Sequence, residues 1–355
     1  MPPKVEVIVA ARNAEATLAS SLRSVQRQML GEWRCWVVDD HSTDQTLPIA
    51  KQFSQQDSRF CVLSNPAAVD PHAEESLHRL VEARNAAIAA CSAPWLAIHD
   101  ADDVMHQDRL RAQLDLAEEQ NLDVVACAVR YFPRRALGEG MQRYEGWLNQ
   151  QTPERLSLER FVEMPAAHPA LIMKRDLVQQ VGAYQDNGWP EDYDLYLRLI
   201  AGGAKVGTVS RRLLAWRIRE QSTSRNHPSY TLAAFAKCRA HYLANDYLGQ
   251  QPQYVLWGYG GTGRELARNL KQVGKEPSAI LELHPGRIGQ RILGVPVFSP
   301  QQYFVSPQFI ANPSTPIVAS VSGQRARTLI RAFFKDLSTQ LNRSFKEGVD
   351  FIFAA

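Results

Sequence analysis

Short apolar runs alternate with helical stripes from the start of the chain. Val5–Val9, Trp33–Val38 and Trp95–His99 are β-rich and close in polar residues, which reads as three strands. Between the first two, Leu18, Leu22 and Val25 recur at helical spacing and mark one buried face of an amphipathic helix. Leu77, Val81, Arg84 and Ile88 repeat that spacing ahead of the third strand. Strands alternating with helices in this way predict βαβ units and a mainly parallel sheet. Residues 130–165 break the pattern; they are rich in Arg, Gly and aromatics and read as loops or short helices.

Further along, Pro190 followed by Glu191 and Asp192 opens a helix that carries Leu195 and Leu199 and stops at Gly202-Gly203. A polar helical stretch over residues 226–253 ends in Gly249-Gln250-Gln251-Pro252, and Tyr254–Trp257 starts a new strand. The expected organisation is therefore an α/β domain over residues 1–225, a helical linker over 226–253 and a smaller α/β domain over 254–355.

Composition narrows the classes. With 45% hydrophobic and 22% charged residues the chain forms an ordinary core, and a formal charge of +3 is too weak for a nucleic-acid surface or a polybasic tether. No stretch reads as a signal peptide or spans a bilayer, so the expectation is a cytoplasmic protein whose membrane contact is at most peripheral, at the cytoplasmic face of the inner membrane. Five widely spaced cysteines without a Cys-x-x-Cys pair read as reduced, mostly buried residues.

The candidate chemistry lies where the strands end. Ala10-Ala11-Arg12-Asn13, Asp39-Asp40-His41-Ser42 and Asp100-Ala101-Asp102-Asp103 follow the three strands, and ligands of open α/β sheets bind at that carboxyl edge. Three carboxylates within four residues repel one another unless a cation is present. Mg²⁺ or Mn²⁺ takes one or two carboxylates and completes its shell with phosphate and water, which suits a diphosphate leaving group. An Asp-rich turn also simply ends a strand, because Asp bonds to its own backbone. Arg84 sits on the sheet-packing face of its helix and needs an anion, either a strand-end aspartate or a donor phosphate. Asp192, in the first turn of its helix, is placed to act as a base because the helix dipole favours its ionised form.

Taken together, residues 1–225 resemble glycosyltransferase family 2, the inverting nucleotide-sugar transferases of the GT-A fold. The resemblance rests on Ile8-Val9-Ala10-Ala11-Arg12-Asn13, Val38-Asp39-Asp40-His41-Ser42-Thr43-Asp44-Gln45-Thr46, Ala83-Arg84-Asn85-Ala86-Ala87, His99-Asp100-Ala101-Asp102-Asp103 and Glu191-Asp192, in that order. It implies that Ala10, Arg12, Asp39, Arg84, Asp100 and Glu191 serve the nucleotide sugar, with Asp39 on the base and Asp100 on the ribose or metal. It also implies that Asp102 or Asp103 binds Mn²⁺ or Mg²⁺ and that Asp192 faces the acceptor. The family's later Arg-x-His and Ser-x-Ser stand here as Arg217-Ile218-Arg219 and Ser222-Thr223-Ser224, with Arg219 in the usual place of His. The implied donor is UDP-linked, and the acceptor is a carbohydrate or a lipid-linked precursor of a surface glycan.

In the last domain, Gly258-Tyr259-Gly260-Gly261-Thr262-Gly263 follows a strand and opens a helix, and Glu282 closes the next apolar run. Gly258, Gly260, Gly263 and Glu282 thus match a dinucleotide fingerprint, with glycines for the phosphate turn and the acid for the ribose of NAD or another nucleotide. The same glycines also suit a Rossmann-like module that binds nothing. The stretch resembles Rossmann-like modules attached to some bacterial members of the family, which implies architecture alone. Two rival readings follow: an NAD-dependent sugar-nucleotide dehydrogenase or epimerase, and a catalytically silent nucleotide-sugar binding protein. No Tyr-x-x-x-Lys pair is present for the first, and the second gains nothing from Asp192.

Overall fold

The computed structural model describes residues 2–67, 77–219 and 227–355, so Ser222-Thr223-Ser224 and the 225/226 boundary lie outside the described residues. It divides into two compact units, one of residues 1–157 and 165–230 and one of residues 158–164 and 231–355.

The first unit runs β1 (Val5–Ala11), α1 (Leu18–Gln26), β2 (Trp33–Asp39), α2 (Thr46–Gln56), β3 (Phe60–Ser64), α3 (Leu77–Ala90), β4 (Trp95–Ile98), β5 (Val104–Met105), α4 (Arg109–Gln120) and β6 (Val124–Phe132). It continues with α5 (Glu139–Leu148), α6 (Pro153–Leu158), β7 (Ile172–Lys174), α7 (Arg175–Gln180), α8 (Glu191–Ala201) and β8 (Val206–Arg217). The eight strands order as β3-β2-β1-β4-β7-β6-β8-β5. The first four are mutually parallel, and β7 enters antiparallel between β4 and β6.

The buried faces follow the expected periods. Val5, Val7 and Val9 of β1 pack with Leu18, Leu22 and Val25 of α1 and Leu110 and Leu114 of α4 in one core cluster. Across the sheet, α3 turns Val81, Ala87 and Ile88 inward, and Arg84 is buried among them as its spacing predicts. Residues 130–165 contain more order than the sequence suggests: β6 extends to Phe132, and α5 is a full helix. The run Val124–Val129 is apolar at every position because it is buried on both faces, and such a run carries no alternation to announce a strand.

The second unit opens with α9 (Leu232–Asn245) and proceeds through β9 (Gln253–Trp257), α10 (Gly261–Gln272), β10 (Glu276–Leu281), β11 (Arg291–Ile292), β12 (Val295–Phe298), α11 (Pro300–Tyr303), α12 (Pro307–Ala311), β13 (Ile317–Ala319), α13 (Gln324–Gln340) and β14 (Phe351–Phe353). Apart from the short β11, its strands are parallel in the order β12-β10-β9-β13-β14, the Rossmann-like winding. An aromatic core holds it, with Phe334 stacked on Phe351 at 4.0 Å between centroids. Residues 158–164 count with this unit, where Glu159 pairs with Arg327 and Arg331.

Candidate active site

Strand register gathers the predicted polar ends at one edge. Ala11 of β1 lies opposite Asp39 of β2 and Ala10 opposite Val38. Beyond the ladders, Asp40 N–H donates to the Ala11 carbonyl at 2.8 Å and His99 N–H to that of Ile8 at 3.1 Å. The turns after β1, β2 and β4 therefore emerge side by side.

Most of the Asp-Asp-His-Ser-Thr-Asp-Gln-Thr segment laces two of those turns together. Ser42 Oγ accepts from Asn13 N–H at 3.1 Å, Thr46 Oγ1 from Ala14 N–H at 2.7 Å and Asp44 Oδ2 from Glu15 N–H at 3.0 Å. In return, Asn13 Oδ1 accepts from Thr43 N–H and Glu15 Oε2 from Gln45 N–H. Asn13 and His41 both adopt positive φ, a region in which Asn and His are enriched among non-glycine residues. The motif thus serves as a scaffold that leaves Asp39 pointing at the edge.

Asp39 and its neighbour divide sharply. Asp40 accepts from Asn65 Nδ2 at 2.7 Å and lies 3.8 Å from both Arg12 and Arg79, tying β1, β2 and α3 into one block. Arg12 is thereby partly engaged inside the protein. Asp39, 5% exposed, accepts Ser42 N–H through Oδ2, while its Oδ1 is buried with no hydrogen-bond partner among the described residues. A buried acceptor left open in this way is costly unless a ligand supplies the donor.

The acidic turn after β4 is equally asymmetric. Asp103 is fully buried; its Oδ1 accepts the Arg217 N–H at 2.7 Å, and burial with the charges of Asp100 and Asp102 holds its carboxyl well above the usual range. Asp102 faces outward, its side chain 19% exposed, and meets Arg219 Nη1 at 3.3 Å. Burial and then the neighbouring acids Asp102 and Glu191 push Asp100 up to about 6, against the pull of Arg84 at 3.9 Å. Beneath the turn, Arg109 donates to the Ile98 and Leu171 carbonyls and Ser21 Oγ to that of Asp100, which fixes the backbone.

Arg84 joins this turn to α8. Its guanidinium pairs with Glu191, approaches Asp100 and lies over the Tyr184 ring. Glu191 is 0% exposed, and its second oxygen accepts the Tyr230 hydroxyl at 2.7 Å. The next residue, Asp192, reaches a less buried position, with one carboxylate oxygen on the Tyr193 N–H. Burial and Glu191 push it up to about 7, only partly countered by Arg84. Tyr184 and Tyr230 had no sequence signal: neither belongs to a periodic pattern, and both meet the site only through folding. Removing one partner of a buried ion pair strands the other, so Glu191→Ala is expected to destabilise the first unit by about 3–5 kcal/mol. The denaturation midpoint of that unit measures it; an unchanged midpoint would mean that Arg84 finds another anion.

In the second unit the fingerprint glycines have different reasons. Gly258 has φ +96°, and a Cβ there would lie 2.9 Å from the Ser320 carbonyl; a Cβ on Gly263 would meet the Gly258 carbonyl at 2.1 Å. Nothing lies within 4 Å of a Cβ on Gly260. The Glu282 carboxylate accepts from Tyr259 N–H at 2.8 Å and from Arg287 at 3.0 Å, so it braces its own loop.

Comparison with known proteins decides the family. A family model described as Glycosyl transferase family 2 matches residues 6–182. The chain carries a glycosyl transferase family 2 domain. Its catalytic chemistry is therefore sugar transfer, and its first unit has the GT-A fold. The chain is similar to ExoU of Rhizobium meliloti (strain 1021), a succinoglycan biosynthesis protein, and to WfgD of Escherichia coli. ExoU is 25% identical over 267 residues, 72% of this chain and 74% of its own. WfgD, described as a UDP-Glc:alpha-D-GlcNAc-diphosphoundecaprenol beta-1,3-glucosyltransferase, is 31% identical over 118 residues, 33% of this chain and 42% of its own. Residues 1–349 of S. aureus TarS, solved with UDP-GlcNAc, share the fold with a TM-score of 0.54 at 17% identity, over 75% of this chain and 71% of that one.

The donor set of this glycosyl transferase family 2 domain fits a cation that phosphate completes. Among the described residues no group of three His, Cys, Asp or Glu side chains converges on a point. Two partly exposed carboxylates, Asp102 at 19% and the more open Asp100 at 37%, form the open arrangement that hard cations fill with substrate oxygens.

Proposed function

We propose that this protein is an inverting transferase that moves a sugar from a UDP-linked donor to a hydroxyl of a carbohydrate or lipid-linked acceptor in polysaccharide biosynthesis. The observation that carries the reading is the Arg84 bridge. A single guanidinium contacts Asp100 on the acidic turn and Glu191 at the start of α8, the residue that directly precedes Asp192. The relatives' names support the donor and product classes, since WfgD is named for UDP-Glc and ExoU for succinoglycan.

In this mechanism Asp39 Oδ1 accepts a hydrogen bond from the nucleobase, and Asp100 receives the ribose. Asp102 would hold Mn²⁺ or Mg²⁺, while buried Asp103 keeps the end of β8 against the turn. The cation would supply positive charge to offset the negative charge growing on the departing diphosphate. Glu191 is consumed by Arg84 and Tyr230, so it orients the donor side without touching the proton. Asp192 takes the proton from the acceptor hydroxyl as that oxygen bonds to the anomeric carbon and the bond from that carbon to the diphosphate breaks. Attack opposite the leaving group inverts the anomeric configuration. A lipid-linked acceptor would place the reaction at a membrane surface; no described helix is long and apolar enough to cross one.

The donor class is tested by thermal shift with UDP, GDP, CDP and dTDP, each with and without Mn²⁺. UDP with Mn²⁺ is expected to raise the melting temperature most, because only the native state binds it. No response to any nucleotide would defeat the reading.

For the second unit we propose a nucleotide or docking role centred on Gly260, the one fingerprint glycine whose missing side chain the protein itself does not require. Gly260→Ala is expected to leave stability unchanged, whereas Gly263→Ala forces a clash with backbone and lowers it. Calorimetric titration of wild type and Gly260→Ala with NAD and UDP then separates the roles. Binding lost in the variant supports a phosphate turn, and silence in both overturns the nucleotide role and leaves a Rossmann-like module that binds no dinucleotide.

A further inference from the structure

Arg219 stands where the family pattern has a His, and it meets Asp102, the outward acid of the turn. Its Nη1 lies 3.3 Å from Asp102 Oδ2, with side chains 38% and 19% exposed. The chain leading to it is clamped. Arg217 donates its N–H to Asp103 Oδ1 at 2.7 Å and its Nε to the Asp102 carbonyl at 2.6 Å, and its guanidinium sits 4.4 Å from the Phe132 ring centroid. Ile218 N–H donates to the Phe132 carbonyl at 2.8 Å. The backbone next to the acidic turn is therefore fixed, and Arg219 can change partner by side-chain rotation alone.

A guanidinium has no lone pair for a metal, and its charge repels a divalent ion from the oxygen it occupies. A diphosphate, in contrast, offers paired oxygens matched to the guanidinium fork. An ion pair this exposed is weak, so either competitor exchanges it readily. Resting on the reading of Asp102 as the cation ligand, we propose that Arg219 is an internal counter-ion that makes cation and donor binding cooperative. In the free protein Arg219 occupies Asp102 and keeps cation affinity low. With donor present its guanidinium moves to the diphosphate and hands Asp102 to the cation. Coupling of this kind is reciprocal: each ligand tightens the other by the same factor.

The test is Mn²⁺ titration followed by the electron paramagnetic resonance of the free ion, on wild type, Arg219→Gln and Asp102→Asn, with and without UDP. Wild type should bind Mn²⁺ weakly alone and at least about tenfold more tightly with UDP. In Arg219→Gln, Mn²⁺ alone should bind about two- to fivefold more tightly, and the gain from UDP should shrink. Unchanged Mn²⁺ affinity and unchanged coupling in Arg219→Gln overturn the proposal. Asp102→Asn separates the two layers. If it abolishes Mn²⁺ binding while Arg219→Gln does nothing, only the counter-ion role fails. If it leaves Mn²⁺ binding intact, the assignment of Asp102 itself fails.

Discussion

Asp192→Asn is expected to lower sugar transfer by about 10²–10⁴-fold while donor binding stays at the wild-type level. The substitution keeps the shape of the side chain and removes its capacity to hold a proton. The same residue sets a pH dependence. Its carboxyl is pushed up to about 7, first by burial and then by the charge of Glu191. A base works only when ionised, so kcat/KM should rise with pH and level off above about 7. Below that value the Asp192 carboxyl is protonated and transfer falls, more steeply still below about 6 where Asp100 also takes up a proton. A flat profile between about pH 5 and about pH 8, or full turnover in Asp192→Asn, would remove the residue from the base role. Glu191→Gln makes a useful contrast, because it disturbs Arg84 and Tyr230 without removing the proton acceptor.

Asp102→Ala is expected to reduce transfer by at least about 10²-fold, since metal stabilisation of the leaving diphosphate is worth several kcal/mol. Wild-type enzyme in chelator should fall to a similar level and recover when Mn²⁺ is restored. Asp103→Ala separates the neighbours. Its carboxyl group is fully buried on the Arg217 amide, so its loss should appear in stability and in the seating of β8. If Asp102→Ala kept its full response to Mn²⁺, the cation would have to be held elsewhere. If Asp103→Ala alone lost it, the roles of the two acids would be exchanged.

Much of this architecture was readable before folding. Strands β1, β2 and β4 each stop at a polar cluster, and α1 and α3 carry apolar residues at helical spacing. Arg84 on the apolar face of α3 announced an anionic partner, since no charge stays buried alone. That partner lies 107 residues away in Glu191, a distance at which no periodicity speaks. Strand β6 was missed because burial on both faces erases alternation, and β7 because three residues are too few to show any. Tyr230 was missed because a hydroxyl needs only one acceptor and leaves no pattern.

What the sequence by itself determined was which chemical groups stand at the edge of the sheet: acids after β2 and β4, a guanidinium on α3 and a pair of acids opening α8. What the tertiary structure alone decided was which member of each adjacent pair is available. Asp39 keeps an open oxygen while Asp40 is tied down, Asp102 is partly exposed while Asp103 is fully buried, and Asp192 is partly exposed while Glu191 is bonded to Arg84 and Tyr230. The reason is geometric. Consecutive side chains point in opposite directions along a strand and about 100° apart around a helix, so one residue of offset exchanges solvent for core. Sequence records that two acids are neighbours, and only packing determines which of them meets water.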